Sequence, residues 1–421
     1  MKSILIKPST LSGTITPPPS KSLSHRAIIC ASLCKDEEAS KIDNVILSDD
    51  INATIEGMRN LGAEIETIEN KNKTYCLHIK GSKGNIGSTQ IDCKESGSTL
   101  RFLIPISLML AENCTFSGKG KLVERPLDIF YNIFNEKGIS YKNNNGLLPL
   151  TASGKLKDGI YNVSGKVSSQ FISGLLFALP LLNKDSSILI TDAMESVGYI
   201  DLTLQILKRF NIEIDNKDYK EFHIDRNSQY KSSAYNVEAD FSQAAFFLVA
   251  KALGNPVECL GLNENSFQGD KEILKIIEKF NNSVYDEITI DASQIPDLVP
   301  IITVLGALQN GKTTRIVNAE RLRIKESDRL KAISTELNKI GADIEELNDG
   351  LIIKGKESLR GNAKVNSWND HRIAMSLAIA ATRCKEEIVL EGYRAVNKSY
   401  PDFWNDYISL GGKTNEFHMG K

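Results

Sequence analysis

The chain repeats one pattern of segments about six times, at intervals of roughly 70 residues. In each repeat an amphipathic helix ends at a Gly or Asn turn, and a strand follows. Gly and Asn suit this place because they adopt the left-handed conformation that commonly closes a helix. The six turns lie at residues 61–65, 137–141, 210–214, 280–284, 340–344 and 410–414. Such a chain is constrained to fold as several copies of one supersecondary unit.

A second family of helices lies between the first, and its members are apolar on nearly every face. They begin near Ser22, Gly97, Ser168, Ser242, Asp297 and Asp370. A helix that is apolar all round is buried inside a domain. The unit is therefore strand, buried helix, strand, amphipathic helix, strand, strand, which predicts an α/β fold. A solenoid is the alternative, but its units lack this βαβ alternation.

Six units divide naturally into two groups of three, and a chain of 421 residues is too long for one core. We therefore predict two similar globular domains, each of three βαβαββ units, with a cleft between them. The polar stretch Gln229–Ser233 marks the boundary, which gives one domain at residues 20–231. The first strand is expected to complete the other domain, at residues 1–19 and 232–421. The chain would then cross between the domains twice, as at a hinge.

Composition excludes several classes of function. A net charge of −2 leaves no broad basic surface for nucleic acid, and no GxGxxG or Walker loop is present. The seven cysteines form no CxxC pair and are expected to be reduced and mostly buried. The five scattered histidines indicate no metal site. No stretch is apolar for long enough to span a bilayer, and no signal peptide is recognised, so we expect a cytoplasmic protein.

The stretch Pro17–Arg26 carries the strongest local signal. Proline fixes φ and removes amide donors, so a helix begins only after the prolines, where serines can cap it. Lys21, Ser22 and Arg26 then lie in the first turns of this helix. Free amide groups and the helix dipole favour an anion there. Taken alone, the stretch would also suit an ordinary capped helix with surface charges.

Similar polar groups recur at other predicted helix starts in both halves of the chain. They are Glu95–Arg101, Val123–Asp128, Val167–Gln170, Glu195–Tyr199, Ile295–Asp297, Arg321–Arg329, Asn369–Arg372 and Asn397–Asp402. Each alone has a structural alternative, such as a helix cap at Asp297 or Asp370. Lys325, Glu326 and Arg329 would suit a solvated helix face. Together, in a nearly neutral chain, the recurring cations predict a site for ligands that carry several phosphate and carboxylate charges.

These groups resemble the motifs of the 5-enolpyruvylshikimate-3-phosphate (EPSP) synthase, or 3-phosphoshikimate 1-carboxyvinyltransferase, family of the bacterial monofunctional type. The matching segments are PSKSLSHR, SGSTLR, ERP, VSSQF, ESVGYID, IPD, KESDR, NDHR and KSYPDF. The resemblance implies transfer of the enolpyruvyl group of phosphoenolpyruvate to the 5-hydroxyl of shikimate 3-phosphate, with release of phosphate. This is a step of the shikimate pathway to chorismate and the aromatic amino acids. The resemblance also implies two three-unit domains, a monomer, and no metal or organic cofactor.

The resemblance further implies roles for individual residues. The shikimate 3-phosphate site would comprise Lys21, Ser22, Arg26, Ser168, Ser169, Gln170, Ser196, Tyr199, Asp297 and Lys325. The phosphoenolpyruvate site would comprise Lys21, Gly97, Arg125, Gln170, Arg329, Arg372 and Lys398. Asp297 is the candidate base for the 5-hydroxyl, and Glu326 and Lys21 are candidates for moving the other proton. Which of these two protonates the carbon stays open.

The sequence departs from the family pattern in two places. Many relatives carry Asn-Ala or Asn-Ser where this chain has Glu95–Ser96, and Arg321 replaces a frequent Asn. Arg321 therefore receives no assigned contact with substrate. Gly97 is retained, and in the family an alanine at this position is associated with resistance to glyphosate, a competitor of phosphoenolpyruvate. We therefore expect glyphosate to inhibit this enzyme competitively.

The UDP-N-acetylglucosamine enolpyruvyl transferase family is the nearest alternative. That family usually has Lys-Asn in place of Lys21–Ser22, and a cysteine on a mobile loop. The corresponding residues 118–125 contain no cysteine, and Cys114 lies in the preceding strand-like run. A clamp or scaffold for nucleic acid would need a broad basic face, and the nucleotide motif expected of an RNA-phosphate cyclase is absent. We expect neither a nucleic acid nor a membrane as partner.

Overall fold

The computed structural model describes residues 2–282 and 286–417, in which helices and strands alternate along the chain. The strands are β1 (Ser3–Lys7), β2 (Gly13–Ile15), β3 (Ser40–Val45), β4 (Glu64–Glu69), β5 (Tyr75–Lys80), β6 (Ile86–Asp92), β7 (Ala111–Ser117), β8 (Ser140–Asn144), β9 (Leu147–Ser153), β10 (Gly159–Val163), β11 (Ser186–Ile190), β12 (Ile214–Lys217), β13 (Glu221–Ile224), β14 (Ala234–Asn236), β15 (Val257–Cys259), β16 (Glu287–Asp291), β17 (Thr313–Val317), β18 (Ile344–Leu347), β19 (Gly350–Lys354), β20 (Ala363–Asn366), β21 (Ile388–Glu391) and β22 (Lys413–Phe417). The helices are α1 (Lys21–Ser32), α2 (Asp49–Asn60), α3 (Gly97–Leu110), α4 (Asp128–Lys137), α5 (Ser169–Ala178), α6 (Val197–Arg209), α7 (Phe241–Ala252), α8 (Ile273–Asn282), α9 (Val299–Ala307), α10 (Arg329–Lys339), α11 (His371–Ala381) and α12 (Phe403–Ser409). Short 3-10 helices occupy Gly120–Glu124, Leu179–Leu182, Gly269–Glu272, Glu320–Ile324 and Tyr393–Lys398.

The chain divides into two compact units. One is the continuous segment Pro19–Glu238, and the other joins Met1–Pro18 to Ala239–Lys421. The sequence analysis placed the later boundary in Gln229–Ser233, several residues before the observed one. The difference arises because β14, at residues 234–236, pairs in parallel with β3 and so belongs to the first unit. The earlier boundary lies one residue before the predicted position.

The unit Pro19–Glu238 contains three four-stranded sheets with one common plan. The strand orders are β14-β3-β5-β4, β6-β7-β9-β8 and β10-β11-β13-β12. In each sheet the first pair is parallel and the other two pairs are antiparallel. Parallel neighbours need a crossover, which the apolar helices provide in the second and third sheets, whereas a short turn can join antiparallel strands. The predicted βαβαββ unit is therefore observed, with β14 entering the first sheet from the end of the segment.

In the other unit two sheets keep this plan and one does not. The orders are β16-β17-β19-β18, β20-β21-β1-β22 and β15-β2. β1 completes the second of these sheets by pairing antiparallel with both β21 and β22. In the repeat of β2, α7, β15 and α8, the described residues contain two of the four strands of the predicted unit. Residues 283 and 284 of the turn predicted at 280–284 lie outside the described residues.

The apolar helices form the core of each unit. α1, α3 and α5 lie in the core of Pro19–Glu238, and α7, α9 and α11 lie in the other core. Every residue of α9 and α11 is buried, as expected of helices that lack a polar face. All seven cysteines are free thiols, and all but Cys259 are buried, which confirms that expectation. Among the described residues, no helix has the length and apolar character needed to cross a membrane.

Candidate active site

Helix α1 begins where the proline run ends. Ser20 caps it, because its hydroxyl accepts a hydrogen bond from a backbone amide of the first turn. Lys21 is the first helical residue, and its Nζ lies 2.7 Å from Asp50 Oδ2. Asp50 lies in the first turn of α2. The predicted helix start is confirmed, and this ion pair joins it to the start of a second helix.

Arg26 lies further along α1 and is buried. Its guanidinium donates to the carbonyl oxygens of Ser22 and Tyr199, each at 2.9 Å, and to Thr203 Oγ1 at 2.8 Å. It also lies 5.3 Å from the centre of the Phe102 ring. Burial lowers the pKa of Arg26 to about 10, which is still far above neutral pH. The side chain therefore keeps its charge among partners that carry none, and it links α1 to α6.

The start of α3 leaves room for guanidinium groups because residue 97 is glycine. A Cβ atom on Gly97 would lie 2.6 Å from Arg125 Nη1 and 3.0 Å from Arg101 Nη1. Arg101 donates to Gln170 Oε1 at 3.0 Å, and Gln170 Nε2 donates to Ser98 Oγ at 3.0 Å. Gln170 lies in the first turn of α5. Two arginines and an amide thus meet where α3 and α5 begin.

The remaining residues predicted in this unit also lie at helix starts. Ser168 caps α5 by accepting from the Gln170 amide, and Ser169 is the first helical residue. Ser196 precedes α6 with a left-handed backbone φ of 57°, and Tyr199 lies in the first turn of that helix. Hydrogen bonds therefore join the starts of helices in three pairs, α1 with α2, α1 with α6, and α3 with α5.

In the other unit, Asp297 accepts hydrogen bonds from two arginines. Arg329 Nη1 lies 2.7 Å from its Oδ1, and Arg372 Nη2 lies 2.9 Å from its Oδ2. Arg372 also donates to the Asp297 carbonyl oxygen at 3.1 Å. The N-cap residue of α9 is Leu298, with no side-chain cap bond. The alternative of Asp297 as a helix cap is therefore wrong, and its carboxylate is an ion-pair partner.

Arg329 lies at the centre of a carboxylate cluster. Its side chain is 1% exposed, and it donates to Asp370 Oδ2 at 2.8 Å and to Glu326 Oε2 at 2.7 Å, besides Asp297. Burial by itself would lower the pKa of this guanidinium, but the three carboxylates hold it well above its ordinary value. Asp370 also caps α11 by accepting from the Arg372 amide at 2.9 Å. Arg329 and Glu326 are therefore not on a solvated helix face.

Two lysines belong to the same region. Burial lowers the pKa of Lys325 to about 7, although the Asp297 carboxylate opposes the shift, and the charge of Arg321 adds to it. Lys398 is buried, and its Nζ lies 2.5 Å from the Asn369 carbonyl oxygen. Within residues 2–282 and 286–417, no group of three or more His, Cys, Asp or Glu side chains is placed to hold a metal ion.

Four of the predicted residues lie at or near the ends of 3-10 helices rather than in the first turn of an α-helix. They are Arg125, Lys325, Glu326 and Lys398. Each lies at, or within two residues of, the end of a 3-10 helix that joins the second strand of a repeat to its amphipathic helix. The same connector thus carries charged groups in three different repeats.

Similarity to known proteins agrees with this arrangement. The sequence model of EPSP synthase (3-phosphoshikimate 1-carboxyvinyltransferase) matches residues 5–407. Proteins named 3-phosphoshikimate 1-carboxyvinyltransferase from Clostridium novyi (strain NT) and Clostridium acetobutylicum are 54% and 53% identical, with 100% of this chain and of each relative aligned. The chain belongs to the EPSP synthase family. A solved EPSP synthase from Acinetobacter baumannii has the same fold, with a TM-score of 0.78 over 99% of this chain and 100% of that one, at 22% identity.

Membership of the EPSP synthase family confirms the predicted transferase activity. The reaction is transfer of an enolpyruvyl group from phosphoenolpyruvate to shikimate 3-phosphate, in the pathway to the aromatic amino acids. The UDP-N-acetylglucosamine alternative is not favoured. The two units of repeated βαβ type match the fold of solved EPSP synthases, which confirms the predicted fold class.

Sequence reasoning named Asp297 and Glu326 but missed other members of this network. Asp50 and Arg101 received no role, and Asp370 was considered only as a cap. Asp50 lies 29 residues from Lys21, and Asp370 lies 41 residues from Arg329. Local pattern carries no signal for such pairs. A carboxylate in the first turn of a helix, as at Asp50, was the one available hint.

Proposed function

We propose that the residues marked by the family motifs bind the two substrates of EPSP synthase. For shikimate 3-phosphate they are Lys21, Ser22, Arg26, Ser168, Ser169, Gln170, Ser196, Tyr199, Asp297 and Lys325. The observation that carries this proposal is the gathering of helix starts in Pro19–Glu238, where Lys21 and Arg26 add charge to free backbone amides. A phosphate and several hydroxyl groups need that combination of cations, serine hydroxyls and an amide side chain.

Phosphoenolpyruvate is bound by a second set of residues that is rich in arginine. They are Lys21, Gly97, Arg125, Gln170, Arg329, Arg372 and Lys398. The planar fork of arginine matches phosphate and carboxylate groups through paired hydrogen bonds. The absence of a side chain at Gly97 supports the proposal, because the Arg125 guanidinium occupies the space that a Cβ atom would need. Arg321, in place of the usual Asn, is left without an assigned contact.

The reaction requires three proton movements. A proton is added to the methylene carbon of phosphoenolpyruvate while the 5-hydroxyl oxygen bonds to the neighbouring carbon and loses its own proton. The tetrahedral intermediate then loses a methyl proton and releases phosphate, which restores the carbon–carbon double bond. We assign the base for the 5-hydroxyl, and for the later deprotonation, to Asp297. Glu326 and Lys21 deliver and shuttle the other proton.

The ion pairs of Asp297 explain how it becomes available as a base. Arg329 and Arg372 donate to both of its carboxylate oxygens. An anionic substrate that binds these arginines competes for the same donors. Phosphoenolpyruvate therefore replaces Asp297 as their partner and leaves the carboxylate able to accept a proton. Binding of the second substrate and activation of the base are then one event.

Several further properties belong to this proposal. Glyphosate competes with phosphoenolpyruvate, the enzyme acts as a monomer in the cytoplasm without metal or organic cofactor, and the two compact units are its domains. We place their boundaries where the compact units meet along the chain, at Pro18–Pro19 and Glu238–Ala239. Inhibition kinetics and the mass of the protein in solution test the first two properties directly.

Phosphate release from phosphoenolpyruvate is the experiment that tests the function. The purified protein is given shikimate 3-phosphate or UDP-N-acetylglucosamine as acceptor, and we expect release with the first alone. Release with the nucleotide sugar alone would overturn the proposed shikimate 3-phosphate site and leave the assignment of the arginines to phosphoenolpyruvate unchanged. Addition of glyphosate should raise the KM for phosphoenolpyruvate without changing kcat, and unchanged activity at millimolar glyphosate would contradict its proposed site.

A further inference from the structure

Glu336 is a buried carboxylate that the family motifs do not mark. It lies on α10 with a side-chain exposure of 1%, although Lys339, its ion-pair partner at 2.8 Å, is 43% exposed. An ionised group in such a place is costly unless its oxygens are fully satisfied by hydrogen bonds. The other hydrogen-bond partners of Glu336 therefore indicate which segment its carboxylate positions.

Those partners lie in the segment that leads into α11. The backbone N–H of Asn366 donates to Glu336 Oε2 at 3.0 Å, and the Trp368 indole Nε1 donates to Oε1 at 2.7 Å. Trp368 and Asn369 both adopt a left-handed backbone, with φ of 52° and 54°. A bulky residue such as tryptophan rarely adopts that conformation unless its surroundings impose it. Glu336 therefore holds the segment just before this bend and at the first residue of the bend.

The bend presents two groups of the proposed phosphoenolpyruvate site. The Asn369 carbonyl oxygen accepts from Lys398 Nζ at 2.5 Å, and the next residue, Asp370, accepts from Arg329. Arg329 is the first residue of α10, two helical turns before Glu336, so both lie on one buried stripe of the same helix. Helix α10 therefore fixes residues 366–370 at two points.

We infer that Glu336 is a positioning residue for phosphoenolpyruvate: it holds the Trp368–Asn369 bend so that Lys398 and Arg329 stay in place. This inference rests on the proposed assignment of those two cations to phosphoenolpyruvate. Glu336 itself touches no reacting atom. Loss of the hydrogen bonds from Asn366 and Trp368 to Glu336 displaces the Asn369 carbonyl and the Asp370 carboxylate together. This changes the binding of phosphoenolpyruvate more than the binding of shikimate 3-phosphate.

Glu336→Gln tests the inference, because glutamine has the same shape but its amide nitrogen cannot accept from the indole or the Asn366 amide. We expect the KM for phosphoenolpyruvate to rise about tenfold, because small displacements of binding groups are costly. The KM for shikimate 3-phosphate should change by less than about twofold. Lys339→Met is the matched control, since it removes the exposed partner of Glu336 and leaves the bend intact. It should leave both KM values within about twofold.

A spectroscopic readout separates positioning from general loss of stability. The chain has two tryptophans, Trp368 and Trp404. Trp404→Phe leaves Trp368 as the sole reporter, and adding Glu336→Gln to that variant should change its emission maximum, because the indole N–H loses an anionic acceptor. A lower melting temperature with unchanged emission and unchanged KM for phosphoenolpyruvate would overturn the inference.

Two further variants keep the result decisive. If Glu336→Gln does not fold, Trp368→Phe keeps an aromatic ring but removes the indole donor, and it should raise the KM for phosphoenolpyruvate by about threefold, the scale of one hydrogen bond. An unchanged KM in that variant would also contradict the inference. Lys398→Met is measured in parallel. If it leaves the KM for phosphoenolpyruvate unchanged, the proposed site is wrong; if it raises this KM and Glu336→Gln does not, only the role of Glu336 is wrong.

Discussion

The two units hold their buried arginines in different ways. In Pro19–Glu238, Arg26 donates to two carbonyl oxygens, a hydroxyl and no carboxylate. In the other unit, Arg329 donates to three carboxylates, and Arg372 shares one of them. The charge of Arg26 is thus held by neutral groups alone. Under the proposed function, an anion meets no competing carboxylate at Arg26, whereas at Arg329 it must replace a carboxylate that is already there.

Removal of Asp297 is the strongest test of this difference, because it takes away the carboxylate that both arginines share. Asp297→Ala should lower turnover by at least about 10²–10⁴-fold, the usual contribution of a general acid or base. Binding of shikimate 3-phosphate, measured by calorimetry, should persist. Asp297→Asn is the control, since its oxygen still accepts a hydrogen bond but it cannot take a proton. Near-normal turnover in either variant would contradict the assignment of the base.

Removal of the arginines compares the two units through stability. Arg329→Met leaves the fully buried Asp370 without its cation, and loss of one member of a buried ion pair costs about 3–5 kcal/mol. Arg26→Met removes donors from neutral acceptors and should cost about 1–3 kcal/mol. The free energies of unfolding are measured by urea titration followed by circular dichroism. Equal losses of unfolding free energy in the two variants would show that the carboxylates around Arg329 do not make it more important for stability than Arg26.

A methyl group at residue 97 tests the unit Pro19–Glu238 alone. Gly97→Ala places a Cβ atom 2.6 Å from Arg125 Nη1, so this guanidinium must move. We expect the KM for phosphoenolpyruvate to rise about tenfold, because a displacement of this size disturbs a positioned group. Inhibition by glyphosate should weaken in parallel. The KM for shikimate 3-phosphate is the internal control, and an equal rise in both values would contradict a specific effect on Arg125.

The pH dependence of stability tests the burial of Lys325. Burial lowers the pKa of Lys325 to about 7, whereas the unfolded chain has the ordinary value of about 10.4. Between these two values the unfolded state binds more protons, so the contribution of this group to stability rises with pH, by less than about 1.4 kcal/mol per pH unit. Below pH 7 its cost is constant and greatest.

Lys325→Met removes this dependence, which makes it the matched variant. Its advantage in stability over the unchanged protein should be largest at pH 6 and should shrink steadily towards pH 9.5. Urea titrations of both proteins across that range give the difference. A difference that is independent of pH would show that Lys325 keeps its ordinary pKa in the folded protein.

Periodic features of the sequence predicted the fold well. The apolar helices begin within about two residues of the predicted positions, because apolar runs and capping residues are local signals. The fourth repeat was predicted to be complete, and among the described residues its sheet has two strands, β2 and β15. The turn predicted there at 280–284 lies partly outside those residues.

Of the groups around the predicted cations, Asp297 and Glu326 were singled out from the sequence, whereas Asp50 was not and Asp370 was considered only as a cap. Motifs identified Lys21 and Arg329, while Asp50 and Asp370 are brought in by folding from distant segments. Glu336 left a local trace, as a charged residue between Ile333 and Leu337 on the apolar stripe of α10. A charge on a buried stripe indicates a polar partner across the interface, but the sequence does not say which one.

The position of strand β1 has a consequence for folding during translation. It is an inner strand of its sheet, between β21 and β22, yet its residues Ser3–Lys7 emerge from the ribosome long before either neighbour is made. The segment Pro19–Glu238 contains all of its own strands and is free to fold during translation. Ser3–Lys7 must wait for the last residues with its backbone unpaired and Ile4 and Ile6 uncovered. For most of the synthesis Ser3–Lys7 is therefore an unpaired apolar strand, and such a strand is prone to pair with other chains.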